Sequence, residues 1–509
     1  MDKIIILDFG SQYNQLIARR VRELKVYSEI HPFDVDQSIL KDPSVVGIIL
    51  SGGPHSVYDK DAPHIDKTIF DLDKPVLGIC YGMQLTQFLL GGKVSPSKER
   101  EYGKSILTIE KEHKLLKNVK QDSQVWMSHG DHVETLAPDF IQLASTPSCI
   151  AVAKHINKDI YNLQFHPEVT HTVFGKQILK NFVLNICKAK QNWSLDDYIE
   201  KTVKHIKDVV KDEQVILGLS GGVDSSVAAM LIHEAIGDQL TCIFVDTGLL
   251  RKNEGNQVME TFEKHFNMNI IRVDVKDKFF DQLKGITDPE EKRKIIGHEF
   301  VEVFENEKKK LKSAKFLAQG TIYPDVIESI SIKGPSQTIK SHHNVGGIPK
   351  NMTFKLLEPL KELFKDEVRE VGIKLGLDKK MVYRHPFPGP GLGIRVIGEV
   401  TKEKVEILQE ADEIFISELN RNNYYHDVSQ AFVTLLPVKT VGVMGDQRTY
   451  EYVCAIRSVN TTDFMTATFS RLPFEFLDEC ASKIINQVKG INRVVYDITS
   501  KPPGTIEWE

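Results

Sequence analysis

The chain has 509 residues, 41% of them apolar and 27% charged, and its 65 basic and 70 acidic residues leave a formal charge of −5. That is the make-up of ordinary globular domains, about three of them at ~150 residues each, and it lacks the basic excess of a dedicated nucleic-acid binder. Six cysteines (Cys80, Cys149, Cys187, Cys242, Cys454, Cys480) form no C-x-x-C pair. Their spacing speaks against a disulfide scaffold or a cysteine-rich zinc module and predicts a reducing, cytoplasmic setting. No apolar run approaches the ~18 residues of a membrane span, and the first residues do not read as a signal peptide.

Short apolar runs recur through the first 190 residues: Ile4–Leu7, Val45–Leu50, Pro75–Ile79, Ile106–Ile109 and Ile160–Phe165. Runs of this length bounded by glycine or proline predict buried strands. Helical stripes lie between them, as in Gln12–Leu24 with Leu16, Ile17, Val21 and Leu24 on one face. Alternation of this kind predicts an α/β domain with a largely parallel sheet. The polar stretch Lys188–Ser194 breaks the pattern and predicts a boundary near 190.

A second α/β series spans 191–385, with strands at Val215–Leu219, Leu240–Val245, Ile270–Val275 and Phe316–Ala318 and a helix at Val227–Ile236. The lysines around Phe304–Lys315 read as a solvated helix face. Arg384-His385-Pro386-Phe387-Pro388-Gly389-Pro390-Gly391 cannot form a regular element, because proline lacks the N–H and glycine is conformationally free. It is either a linker or the lining of a site. Beyond it, the helical run Lys402–Asn420 and strand-like runs Val438–Val443, Tyr450–Ile456 and Val494–Ile498 suffice for a small α+β domain over 386–509.

Gly78-Ile79-Cys80-Tyr81-Gly82 joins a strand to an apolar helix. Flanking glycines permit the tight turn that presents a nucleophile, and a helix N-terminus favours a thiolate. A merely buried cysteine at a tight turn would carry the same pattern. Further on, Phe165-His166-Pro167-Glu168 offers an imidazole base with a carboxylate to fix its tautomer. Ser51-Gly52-Gly53-Pro54, after a predicted strand, supplies backbone N–H groups that could form an oxyanion hole with that of Tyr81.

As a set these motifs resemble class I glutamine amidotransferases, over residues 1–190. The resemblance implies a triad of Cys80, His166 and Glu168, oxyanion donors at Gly53 and Tyr81, and a glutamine pocket around Gln84, Ser128, His129, Gly130 and Asp131. Glutamine hydrolysis would release ammonia, which requires an acceptor domain.

Ser220-Gly221-Gly222-Val223-Asp224-Ser225-Ser226 follows a predicted strand and opens a helix. Its glycines let backbone N–H groups approach an anion, its hydroxyls add donors, and Asp224 could hold Mg²⁺. No lysine follows the glycines, so it is not a Walker loop. An uncharged Ser/Gly helix cap would look similar. The loop resembles that of ATP pyrophosphatases, Rossmann-like domains that split ATP to AMP and pyrophosphate. Val245 and the residues after it, to Arg251, fit the next strand end. Gly320 within Gln319–Asp325, followed by Glu328, would come from a later one.

Lys340–Gly347, the proline-rich segment with Arg395, Val441–Asp446 and the tail Lys501-Pro502-Pro503-Gly504-Thr505-Ile506-Glu507-Trp508-Glu509 resemble the GMP synthetase family, end to end and in order. That resemblance implies amination of xanthosine 5′-monophosphate (XMP), with ATP, glutamine and Mg²⁺, by a homodimer formed through the third domain. Arg384, Arg395, Lys501, Ile506 and Glu507 would hold XMP, and Lys340, His342 and His343 would belong to a lid over ATP. NAD synthetases share the phosphate loop but carry a nitrilase-like glutaminase, against which the Cys80–His166–Glu168 set counts. A tRNA-modifying protein fits the acidic balance poorly, and a catalytically silent scaffold fits poorly with motifs intact in both domains.

Overall fold

The computed structural model describes residues 1–311, 314–331, 354–444, 447–461, 464 and 466–509, which form two compact units. The first holds Met1–Tyr198 with the helix Tyr323–Ser331, and the second holds Ile199–Ile322 and 354–509.

A nine-stranded sheet crosses the first unit. Five parallel strands run in the order Tyr27–Pro32, Lys3–Asp8, Val45–Leu50, Val76–Ile79 and Ile160–Leu163. Burial on both faces explains the apolar runs Ile4–Leu7, Val45–Leu50 and Val76–Ile79, while the edge strand Tyr27–Pro32 is polar and only partly buried. Four antiparallel strands extend the sheet: Ile150–His155, Phe140–Ser145, Lys93–Ile109 and Ser123–Thr135. The expected strand Ile106–Ile109 is thus the end of a 17-residue one. Its partner Ser123–Thr135 alternates buried Ser123, Val125, Met127 and His129 with less buried residues, and so shows a period of two rather than an apolar run.

In the second unit a parallel sheet runs Asn269–Asp274, Leu240–Asp246, Gln214–Gly218, Ala314–Ala318, Lys355–Leu357. The order reverses between Gln214–Gly218 and Ala314–Ala318, the place where open α/β sheets bind ligands. Residues 384–390 are irregular, as expected, but Gly391, the last of the expected stretch, opens a 3₁₀ turn that runs to Ile394. The strands Gln430–Met444, Gln447–Asn460, Thr468–Phe469 and Ile491–Asp497 then form a second sheet, covered by the helices Lys402–Arg421 and Phe474–Gln487. One continuous core joins the two parts: Ile243, Phe279 and Leu392 belong to the same buried cluster as Phe415, Cys454 and Ile484. Shared apolar burial makes 199–322 and 386–509 one packed unit. The lysine-rich helix Pro289–Lys310 departs from expectation at Lys308, and Lys315 lies beyond it on the strand Ala314–Ala318. Lys309 and Lys310 face solvent, but Lys308 is buried over the Phe354 ring and paired with Glu305 at 2.8 Å.

Candidate active sites

Cys80 sits between the strand Val76–Ile79 and the helix Tyr81–Leu89 with φ 50° and ψ −106°. A non-glycine residue in that region stores strain of about 1–3 kcal/mol, sustained only where the surroundings over-determine it. Here Cys80 N donates to Leu163 O at 2.7 Å and Gly82 N to Ser51 O at 3.0 Å. A Cβ on Gly78 would lie 2.5 Å from Gly82 O, and one on Gly82 would lie 2.4 Å from Leu50 O. Both glycines are therefore required by close backbone approach, and the elbow is a built feature. Among the described residues, neither Gly53 N–H nor Tyr81 N–H is donated within the chain.

His166 follows the strand Ile160–Leu163 and is 4% exposed. Its Nδ1 lies 2.7 Å from Glu168 Oε1, and Glu168 is 1% exposed. A Cβ on Gly52 would stand 3.1 Å from His166 Cε1 and 3.7 Å from Cys80 Cβ, so imidazole and thiol flank the same glycine. Burial disfavours the imidazolium, but the Glu168 charge and hydrogen bonds with Cys80 and Glu168 outweigh it, raising the pKa to about 10. The site thus favours imidazolium beside sulfur, the arrangement a cysteine nucleophile needs.

The glutamine-side residues lie on the strand Ser123–Thr135 and the adjoining helix. Ser128 O accepts from Cys80 Sγ at 3.6 Å, and Gln84 Nε2 donates to Asp131 O at 2.7 Å. Asp131 Oδ2 is buried with no hydrogen-bond partner among the described residues. His129 is buried beside Gly130, around which a Cβ would meet nothing within 4 Å.

Three residues here escaped the sequence reading. Thr172 Oγ1 donates to His166 O at 2.6 Å while accepting from Trp126 N at 3.0 Å, which fixes the backbone under the imidazole. Tyr13 presents its ring edge-on to His166, with centroids 5.1 Å apart. Gln164 Nε2 points at Cys80 Sγ from 3.9 Å. Only Gln164 sits beside a recognisable motif.

In the second unit, Ser220–Ser226 folds over the N-terminus of the helix Val223–Ile236, with Gly221 at φ +72°. Ser225 Oγ accepts from Ser220 N at 3.3 Å and lies 2.9 Å from Ser220 Oγ. Ser220 Oγ accepts from Gly222 N at 3.2 Å. A Cβ on Gly320 would lie 3.0 Å from Ser225 N, so the loop after Ala314–Ala318 lies directly against this turn. Val245 is buried in the strand Leu240–Asp246. Ser226 Oγ and Asp224 Oδ1 are buried without hydrogen-bond partners among the described residues. Asp224 Oδ2 meets Lys365 Nζ at 2.6 Å. Lys365 opens the helix Lys365–Lys374, some 140 residues along the chain, and no motif announces it. A buried carboxylate oxygen left open at a phosphate loop is the hard donor Mg²⁺ takes, so Asp224 fits that ion.

The residues expected around XMP fall into two groups. Arg384 Nη2 pairs with Glu254 Oε1 at 2.8 Å, and Glu254 also accepts from Arg251 N at 3.1 Å. Arg251 itself, absent from the sequence reading as a ligand, lies over the Phe387 ring at 4.6 Å, with Nε and Nη2 buried and not hydrogen-bonded among the described residues. It lines a cavity of about 310 Å³ with Asp246, Arg272, Lys276 and Gln409.

In the other group, Glu507 accepts from Arg395 Nη2 and Gln430 Nε2, each at 2.8 Å, and from Arg395 Nε at 3.1 Å. Arg395 was expected to hold XMP, but its side chain has no exposed surface and its Nε and Nη2 go to Glu507, with Nη1 buried and not hydrogen-bonded among the described residues. A buried guanidinium needs such a partner, so its part here is to hold that carboxylate. Lys501 Nζ donates to Phe464 O at 2.8 Å, and Ile506 packs on Phe432, Val459 and Ala467. Lys340, His342 and His343 lie outside the described residues, as does Asp446.

Comparison with known families matches these regions in turn. Residues 5–186 match glutamine amidotransferase class-I, 195–310 match NAD synthase, and 417–508 match the GMP synthase C terminal domain. Among curated proteins, "GMP synthase [glutamine-hydrolyzing]" of Fusobacterium nucleatum is 63% identical over 509 residues, covering 99% of each chain. The protein of the same name from Mesoplasma florum is 62% identical, covering 100% of this chain and 99% of its own. That of Spiroplasma kunkelii is 58% identical over the same shares. The NAD synthase match ends at 310, whereas these likenesses run the whole length and include the tail that holds Glu507. The chain belongs to the glutamine-hydrolysing GMP synthase family.

Proposed function

We propose that the chain converts XMP to GMP, using glutamine as nitrogen donor and ATP to activate the acceptor. The observation that carries this reading is the pairing, in one chain, of the Cys80–His166–Glu168 arrangement with an open Ser/Gly phosphate loop. Cys80 sulfur attacks the glutamine side-chain amide, and the oxyanion forms against Gly53 and Tyr81 N–H groups. The His166 imidazolium protonates the departing nitrogen, so ammonia leaves and a thioester remains. Neutral His166 then deprotonates water, which hydrolyses the thioester to glutamate and restores the thiol.

In the second unit, Ser220–Ser226 and Lys365 bind the ATP phosphates. The purine C2 oxygen of XMP attacks the α-phosphorus, the α–β bridge breaks and pyrophosphate leaves. Ammonia adds at C2, AMP departs, and a proton passes to solvent. Asp224 would hold Mg²⁺ with ATP, which supplies charge neutralisation at the phosphates. Lys501 suits the acceptor's phosphate, and Glu507, held by Arg395 and Gln430, accepts hydrogen bonds from the purine edge.

We read the chain as a cytoplasmic homodimer with boundaries near 190 and 385. Irregular backbone at 188–194 and 384–390 supports the boundaries, the second of which separates two sheets within one packed unit. The hairpin Gln430–Met444/Gln447–Asn460 supports the dimer, because Val438, Val441, Val443 and Tyr450 are exposed on it. Six free thiols suit a reducing compartment. No described helix is long and apolar enough to cross a membrane. A screen of nucleotide acceptors that follows AMP release tests the central reading. XMP should support turnover, whereas silence with XMP alongside turnover of deamido-NAD would overturn it.

A further inference from the structure

The tail that carries Lys501, Ile506 and Glu507 makes almost no regular structure of its own; beyond the strand Ile491–Asp497 only the bridge between Lys501 and Ala467 is formed. Such a segment needs side chains to hold it, and three cations with fully buried side chains do so. Lys292 meets the Glu509 carboxylate and the Val396 carbonyl, and Arg395 grips Glu507.

Arg457, in the strand Gln447–Asn460, does more than pair with one group. It donates from Nη1 to Thr499 O at 2.6 Å and Asp497 O at 3.4 Å, from Nη2 to Thr505 O at 3.0 Å, and from Nε to Ile506 O at 3.4 Å. The Asp497 carboxylate lies 3.3 Å from Nη1 and balances the charge. Carbonyls from before and after residues 500–504 therefore converge on one guanidinium. The segment between them becomes a closed loop with Lys501 in it, and Glu507 follows directly from the closing contacts. Holding the loop shut removes the ordering entropy that acceptor binding would otherwise have to overcome. A planar group with five N–H donors in a fixed fork can reach these four carbonyls at once, whereas an ammonium has three donors on a single atom.

We propose that Arg457 is the latch of the acceptor site, a positioning residue that presets Lys501 and Glu507 without touching the substrate. The inference rests on the reading that Lys501 and Glu507 hold XMP. In the full chain, with ammonia as nitrogen source, Arg457→Lys keeps the charge and loses the converging donors. Its KM for XMP should rise about tenfold, equivalent to about 1.4 kcal/mol, with KM for ATP and kcat little changed. Amides of residues 499–508 should exchange with deuterium faster in that variant, while those of residues 1–198 exchange as in the parent. Asp497→Asn, a milder change that leaves the guanidinium in place, should move KM for XMP the same way by about threefold. It carries the same comparison if Arg457→Lys does not fold.

An unchanged KM for XMP, or a KM for ATP that rises in step with it, would overturn the latch. Glu507→Gln and Lys501→Ala separate the two ideas. If both leave KM for XMP unchanged, the ligand reading fails and takes the latch with it. If they raise it while Arg457→Lys and Asp497→Asn do not, the latch alone is wrong.

Discussion

The two candidate sites differ in how much of their chemistry is arranged before a ligand arrives. Around Cys80 the reacting groups are set against one another: the backbone is strained but pinned by hydrogen bonds, His166 is bound to Glu168, and Thr172 holds the turn beneath it, while the Gly53 and Tyr81 N–H groups and Asp131 Oδ2 stay open among the described residues. Around Asp224 the site is unfinished, with Asp224 Oδ1 and Ser226 Oγ buried but not hydrogen-bonded among the described residues, and with Lys365 brought in from a distant helix. The difference follows from the chemistry. A covalent nucleophile must have its charge state arranged before substrate arrives, whereas a phosphate loop is completed by the polyanion it binds. Both sites keep open polar groups for ligand, but only the first has its reacting pair, His166 and Glu168, already joined.

The sharpest break of that contrast is Cys80→Ala. Glutamine-driven GMP formation should fall by a thousandfold or more, about the scale of losing a nucleophile, while synthesis from added ammonia stays near the parent rate. Loss of both activities in a folded protein would show that the sites do not divide the labour.

Next in size is Glu168→Gln, which keeps the shape and removes the charge that supports the imidazolium. Glutamine hydrolysis should drop about a hundredfold, and its pH profile should change in a defined direction. With His166 raised to about 10, the imidazolium needed by the leaving nitrogen persists below that pH and is lost as pH rises through it. Removing the carboxylate lowers the pKa, so the alkaline limb of kcat/KM for glutamine should move acidward, by ~1 unit or more. A limb that stays in place would detach Glu168 from His166. The same raised pKa makes His166 a stabilising group, fully so below its ordinary value of 6.5, and that contribution falls away as pH rises from there to about 10.

Asp224→Ala should slow pyrophosphate release at fixed XMP by about ten- to a hundredfold, with the Mg²⁺ concentration for half-maximal rate moved upward. An unchanged Mg²⁺ dependence would take Asp224 out of the metal site. The smallest effect is expected for Lys365→Met, a rise of about fivefold in KM for ATP, in keeping with one charge-assisted contact. If Lys365 served only to neutralise Asp224, this variant would bind Mg²⁺–ATP as well as the parent or better.

Legibility in the sequence followed proximity along the chain, at both sites alike. Cys80 was visible because a tight strand-to-helix turn demands glycines at fixed offsets, and Gly78 and Gly82 each face backbone within 2.5 Å of where a Cβ would stand. The phosphate loop was visible likewise, as one contiguous turn. Groups recruited across the fold were not: Thr172, Tyr13, Lys365 and Arg251 carry no local pattern, since their neighbours are set by packing rather than by chain proximity. The strand Ser123–Thr135 was missed because an antiparallel strand with one wetter face shows alternation, which polar residues such as His129 and Asp131 blur.

By itself the sequence determined the α/β classes, the nucleophile turn, the phosphate loop and the order of the parts, all of which depend on residues close together in the chain. Resemblance supplied the acceptor. Only the tertiary structure decided that 386–509 shares a core with 199–322, that Arg395 is a buried partner of Glu507, and that Arg457 draws both ends of the tail onto one side chain. Those outcomes depend on which charges lose their water and which surfaces meet on folding, and spacing along the chain does not encode either.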